Sequence, residues 1–349
     1  MVTIDLERKT LFVAGHFDDG FGKPSKIAEQ VFEAVNPINA RYSNGGSFNE
    51  LFRLLENIEK YNLIFWFADV SNNRPKLVSE IKKRHKECVL VTSKRNRGEY
   101  SFHDLLYHAL GIKSNMFVEI SENENKRYQG RVIDPLGNVF LDYNEDFGLV
   151  GKVIGKRADE LMGYTRISSE KEGGRIPAPK QEEFIGVIRG YSDLFHELVH
   201  SHPEATNRFF GNASFRKGDL IFVTKRNVDK RELDKNAFVA VKPETPICYF
   251  GDDKPSIDTP TQVKLYNFYQ NVSFMLHSHT YIQDAPFTSR IIPCGALEEA
   301  DEIIRMLPYE DKKNFFVNLR GHGSLALVDR IEYLKSLPYF ARQLPEVVK

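Results

Sequence analysis

Short apolar runs alternate with helical periodicity along the first half of the chain. TLFVAGHF (10–17), NLIFWFADV (62–70) and ECVLVTSKRN (87–96) read as strands. Between them, PSKIAEQVFEAV (24–35), FNELFRLLENIEKY (48–61) and RPKLVSEIKKRH (74–85) place apolar residues at helical spacing. Strands that alternate with helices predict βαβ units and a mostly parallel, doubly wound, Rossmann-like sheet. RVIDPLGNVFLDY (131–143) sets a Pro-Leu-Gly-Asn turn between β-rich flanks and predicts a hairpin, with a helix around GKRADELMGY (155–164). The Gly-, Pro-, Ser- and charge-rich stretch RISSEKEGGRIPAPKQEE (166–183) is expected to be a linker. Beyond it a helix leads into strands and turns, including NASFRKGDLIFVTK (212–225) and NAFVAVKP (236–243). The expected organisation is therefore a Rossmann-like α/β domain over 1–165, a linker over 166–183 and a second α/β domain over 184–349.

Two stretches compete to hold a metal. His196-Glu197-Leu198-Val199-His200 matches the H-E-x-x-H pattern of zinc peptidases. In a helix, however, Ile188, Tyr191, Leu194, Phe195, Leu198 and Val199 form the apolar face, and both histidines fall well away from it. Pro203 follows and no spaced third histidine does, so the pair is expected to be solvated, with a metallopeptidase as the lesser alternative. NVSFMLHSHTYI (271–282) instead reads as a strand, where side chains two apart point to one side. His277 and His279 can thus close on one ion. Asp258 stands upstream in KPSIDTPTQVKLY, and His322 stands downstream in the Gly-His-Gly of LRGHGSLAL.

Charge and cysteine content narrow the partners. The 349 residues carry 48 Lys plus Arg and 48 Asp plus Glu, a net charge of +0, so bulk charge draws the chain to neither nucleic acid nor an acidic membrane. No apolar run reaches the ~18 residues of a membrane span and no signal-peptide core follows the N-terminus, which predicts a soluble cytoplasmic protein. The 3 cysteines, Cys88, Cys248 and Cys294, are odd in number and widely spaced, which fits reduced thiols. A metal would then be held by histidine and carboxylate.

From about residue 185 to 345 the chain resembles the class II aldolase/adducin family. GNASFRKGDLIFVTK is similar to its G-N-x-S-x-R segment, HSH to its metal pair and GHG to its third histidine. Within the family, KPSIDTPTQVKLY and IIPC most resemble L-ribulose-5-phosphate 4-epimerase. The resemblance implies an α/β/α fold, Zn2+ or another divalent ion on His277, His279 and His322, and a metal-proximal Asp258. It implies an enzyme, an aldolase or epimerase of carbohydrate metabolism that works by retro-aldol, enediolate chemistry on a sugar phosphate or related ketose. A non-catalytic adducin-like interaction protein is the alternative. GALEEADE offers Glu298, Glu299 and Asp301 without a unique match, of which Glu299 and Asp301 are taken with Asp258 as the acid/base candidates, and Tyr333 and Tyr339 are available phenols. The phosphate contacts implied are Asn212, Ser214 and Ser256. The family's Ser-Gly is replaced by Arg226-Asn227, so Thr224, Lys225 and Arg226 are expected to complete an anion site. A homo-oligomer, a tetramer with sites at subunit boundaries, is also implied.

The first domain has no such resemblance. GHFDDGFGKPSKIAEQV (15–31) places a Gly-containing loop between a strand and a helix, either a plain connection or a phosphate cradle, and YSNGGSFNE (42–50) is expected to supply a second such loop with Ser47 or Asn49 as a helix cap. With VTSKRNRGEYSFHD (91–104) they would gather at one sheet edge, where nucleotide or phosphate binding is expected.

Overall fold

The computed structural model describes residues 9–20, 22–37, 39–70, 76–194 and 209–348. The chain divides into two compact units, Met1–Gly163 with Leu344–Lys349, and Tyr164–Gln343.

The first unit contains β1 (Thr10–Asp18), α1 (Lys26–Val35), β2 (Ala40–Ser47), α2 (Phe48–Leu55), β3 (Leu63–Val70), α3 (Lys76–Arg84), β4 (Val89–Asn96), α4 (Phe102–Gly111), β5 (Met116–Glu122), β6 (Tyr128–Ile133), β7 (Asn138–Asn144) and α5 (Phe147–Gly163). Strands β2, β1, β3, β4 and β5 lie side by side in that order and all parallel. The β6–β7 hairpin adds antiparallel, and the C-terminal strand Glu346–Val347 closes the edge beside β7. Both faces of the sheet are covered. Leu11, Val13, Ile64, Trp66 and Leu90 pack with Phe48, Leu51 and Leu54 of α2 and Ile81 of α3. Phe12, pointing to the opposite face, stacks on Phe65 at 5.0 Å and meets Phe32 of α1 at 5.3 Å.

One expectation changes here and one holds. YSNGGS is not a loop: it forms β2, paired with β1 from Thr10↔Ala40 onward. Ser47 caps α2 as expected, and Glu50 completes a capping box.

In the second unit the elements are β8 (Glu170–Gly173), α6 (Glu182–Gly190), β9 (Asn212–Lys217), β10 (Leu220–Thr224), β11 (Phe238–Lys242), β12 (Cys248–Phe250), α7 (Thr259–Phe268), β13 (Phe274–Ser278), β14 (Tyr281–Ile282), α8 (Leu297–Met306), β15 (Phe315–Leu319), β16 (Gly323–Val328) and β17 (Tyr339–Phe340). Its sheet runs β15-β16-β13-β9-β10-β11-β12-β8, antiparallel except for the last pair. Val263, Leu265 and Tyr266 of α7 and Ala300 and Ile303 of α8 pack on one face with Met275 and Leu325. Phe184, Ile185 and Ile188 of α6 pack on the other with Phe215, Phe222 and Leu276. This is an α/β/α layering.

The expected linker over 166–183 belongs to this unit. Residues 170–173 dock as strand β8 on β12, held by Lys171–Asp252 and Lys242–Glu172 pairs, both at 2.7 Å. The composition there suits an exposed edge strand as well as a linker. Leu344–Lys349, expected in the second domain, belongs to the first unit.

Candidate metal centre

Strand alternation delivers the first histidine. Met275 points into the α7–α8 layer, so His277, two residues on, faces the same side at the end of β13. His279 follows just past the strand, and its ring stacks on Phe210 at 4.4 Å. His322 occupies the turn from β15 to β16. That turn can lie against β13 only because Gly323, at φ +154°, has no side chain: a Cβ there would stand 1.9 Å from the Ser278 carbonyl oxygen.

The three imidazoles are buried and their candidate ligand atoms all lie within 4.8 Å of one another. His277 Nδ1 lies 2.9 Å from the Ser324 carbonyl oxygen, which leaves Nε2 buried without a partner. His279 Nδ1 is likewise buried and unpartnered. Buried polar atoms are nearly always satisfied, so two such nitrogens among three clustered imidazoles have the chemistry of metal donors. Burial holds the His279 imidazolium well below the usual histidine range, and burial with the neighbouring His322 charge lowers His277 to about 4. Both are neutral near pH 7, the form that binds metal.

His322 is held differently. Its Nδ1 meets Glu299 Oε1 at 2.7 Å, and Nε2 lies 2.9 Å from Cys294 Sγ. Burial disfavours its imidazolium, yet Cys294 and Glu299 outweigh that and raise its proton affinity well above the ordinary value. Glu299 is itself 4% exposed, and burial raises its carboxyl above the usual range. A carboxylate behind a histidine is the usual outer partner of a metal-bound imidazole.

Asp258 stands at the N-cap of α7 but makes no cap hydrogen bond. Its Oδ2 accepts from Asn212 Nδ2 at 2.7 Å and lies 3.5 Å from Ser256 Oγ, and its Oδ1 is buried with no partner. Asn212 in turn accepts from Gln262. Sequence reading missed Lys230, in the charged run VDKRELDK. It is 2% exposed, and no hydrogen bond or ion pair engages it among the described residues. Burial drops its pKa from 10.5 to about 7, with Asp229 and Asp258 pulling it back up. Its charge reaches His277 and His279, as that of Arg342 reaches His279.

Other expected residues are placed elsewhere. Asp301 lies on the exposed side of α8 and pairs with Lys264 at 2.5 Å. The Ser214 hydroxyl is buried against the Tyr266 hydroxyl at 3.1 Å. Thr224 Oγ1 accepts from the Ala213 amide, and Lys225 pairs with Asp253 at 2.6 Å. Arg226 is exposed, and its amide donates to the Lys254 carbonyl beside Ser256. Tyr333 is exposed with its hydroxyl on Arg330, and Tyr339 is half-buried with its ring against Tyr191. His196 and His200 lie outside the described residues.

Residues 195–314 match the family model described as Class II Aldolase and Adducin N-terminal domain. The second unit carries a class II aldolase/adducin domain. The matched span ends before His322, so in this domain the third histidine rests on the geometry above. An L-fuculose 1-phosphate aldolase structure is 15% identical over 45% of this chain and 80% of its own, with a TM-score of 0.33. The L-fuculose-1-phosphate aldolase of Thermus thermophilus is 16% identical over 44% and 84%, with a TM-score of 0.31. The DNA/pantothenate metabolism flavoprotein of Streptococcus pneumoniae is 8% identical over 44% and 99%, with a TM-score of 0.36. No curated protein matches the chain. Among the described residues no helix is long and apolar enough to cross a membrane.

Proposed function

We propose that the aldolase/adducin domain is a metal-dependent lyase or isomerase that makes or breaks a carbon–carbon bond next to a carbonyl, with a phosphorylated sugar as substrate. The reading rests on one observation: three buried imidazoles converge with two ring nitrogens left unpartnered. Three nitrogen donors suit zinc or a similar borderline ion with positions open to substrate. A divalent ion there supplies Lewis-acid stabilisation of charge developing on substrate oxygens.

The remaining roles fall to the chain. Asp258 Oδ1, buried and free of hydrogen bonds, is placed to hold and pass a proton while Asn212 and Ser256 fix the carboxylate. Glu299 positions the His322 ring rather than transferring protons itself. Lys230 and Arg342 set positive charge around the histidines, which favours an anionic substrate. Arg226, with its amide tied beside Ser256, remains the candidate for a phosphate at the rim. Asp301 and Ser214 take no part. A homo-oligomer, most simply a tetramer, would place further residues at the site.

The test is a screen of ketose and aldose phosphates with a coupled assay for released aldehyde, alongside chromatography for epimers. Turnover that disappears in His277→Ala/His279→Ala is expected. Metal-replete protein that turns over none of the panel, or turnover that survives the double variant, would contradict the proposal.

A further inference from the structure

The first unit contains a cavity of about 490 Å³ that the aldolase chemistry does not use. It opens where the connections diverge. From β1 the chain passes through α1 to β2 on one side, then crosses to β3 on the other, so the crevice lies outside the carboxyl ends of the parallel strands at the point where strand order reverses. Gly15 from the end of β1, Lys23 and Ser25 from the approach to α1, Asp69 from β3, and Lys94 and Arg95 from β4 line it.

Its charge is lopsided. Among the described residues no carboxylate pairs with Lys23, Lys94 or Arg95; Lys94 Nζ lies over the Tyr100 ring at 4.4 Å. Asp69 is the opposing carboxylate, 3.9 Å from His16, which also lies 3.7 Å from Asp18. Lys23, Lys94 and Arg95 all line a cleft that, among the described residues, has Asp69 as its one lining carboxylate, and that balance of charge favours an anion. The first turn of α1 also lines the cleft, and its partial positive charge has the same sign.

The floor is preformed. The Ser25 amide donates to Asn44 Oδ1 at 2.8 Å, Asn44 Nδ2 donates to the Ser25 carbonyl at 3.2 Å, and the His16 amide donates to the Lys23 carbonyl at 2.8 Å. Gly15, at φ +76°, packs so tightly that a Cβ would stand 2.6 Å from the Gly45 amide nitrogen. A plain connection needs no such clamp, and a preformed cleft of this size suits a small ligand.

We propose that this cavity binds a phosphate ester borne on a hydroxylated small molecule. Lys23, Lys94 and Arg95 take the phosphate and Asp69 takes hydroxyl groups. A nucleotide and a sugar phosphate share that chemistry. The inference rests on the first unit alone and stands or falls separately from the aldolase reading.

The experiment is isothermal titration of the full-length protein with AMP, ATP, NAD and FMN in one arm and with ribose 5-phosphate and fructose 6-phosphate in the other. Each titration is run on wild type and on Arg95→Glu and Lys94→Gln, with EDTA-treated protein as a further sample. At least one probe should bind, with the arm identifying the source. Its affinity should fall about tenfold or more in each variant, and should weaken as salt is raised. Arg95 is exposed, so its charge reversal leaves folding and metal content intact. Binding should also survive EDTA, which separates this cavity from the metal centre. No binding in either arm up to millimolar concentration, affinity unchanged in both variants, or affinity lost on chelation would overturn the proposal.

Discussion

At Asp258 one carboxylate oxygen is held by Asn212 and the other is buried with nothing to accept from. Asp258→Asn keeps the shape and leaves an oxygen for the Asn212 contact, but removes the charge. Turnover should fall by about a hundredfold or more while the melting temperature stays within a few degrees. Full activity in the variant would reduce Asp258 to a structural residue. Lys230 presents the opposite case, a buried cation among histidines. Folded, it loses its proton near 7; unfolded, near 10.5. Between those values the unfolded chain binds the proton and the folded chain does not, so this group makes stability rise with pH from about 7 to 10.5. Below 7 both states are charged and the full burial cost applies, roughly 5 kcal/mol at the limit. In chelator-treated protein, Lys230→Met should therefore melt higher than wild type at pH 6–7, with the gap closing towards pH 10. Parallel melting curves across that range would show that Lys230 is not held as a desolvated cation. Neither property is visible in the sequence, because VDKRELDK has the composition of a solvated turn and only the packing of α6 and the sheet buries its third residue.

At the scale of elements, alternation along a strand was legible and helix orientation was not. The H-x-H spacing puts His277 and His279 at one end of β13, and the Gly-His-Gly turn brings His322 to them because Gly323 admits the Ser278 carbonyl. Helix α8 offered three acids to sequence reading. Packing of Ala300 and Ile303 into the core turns Glu299 inward to His322 and leaves Asp301 on the surface with Lys264. The same logic on β9 sets Ser214 against Tyr266. Glu299→Gln should weaken metal affinity by about 10- to 100-fold, measured by competition with a chromophoric chelator, with little change in fold by circular dichroism. Affinity equal to wild type would remove Glu299 from the support of the centre. Local composition misled where edges are concerned: Gly and Asn in YSNGGS and Gly and Pro near 170–173 mark exposed edge strands, β2 and β8, whose pairing depends on distant partners.

For the whole molecule, the alternating pattern of the first half was enough to anticipate a parallel sheet covered on both faces, and the ordered motifs of the second half its α/β/α layering. The return of Leu344–Lys349 to the first unit was not readable, since a two-strand pairing beside β7 leaves no periodic signature in six residues. Everything proposed for the second unit depends on a metal at the three histidines. The most direct measurement is the metal content of the full-length protein by inductively coupled plasma mass spectrometry, compared with His277→Ala/His279→Ala and His196→Ala/His200→Ala. About one zinc or similar divalent ion per chain is predicted for wild type and for the His196/His200 variant, and none for the His277/His279 variant. Metal that persists without His277 and His279, or that is lost with His196 and His200, would contradict the account.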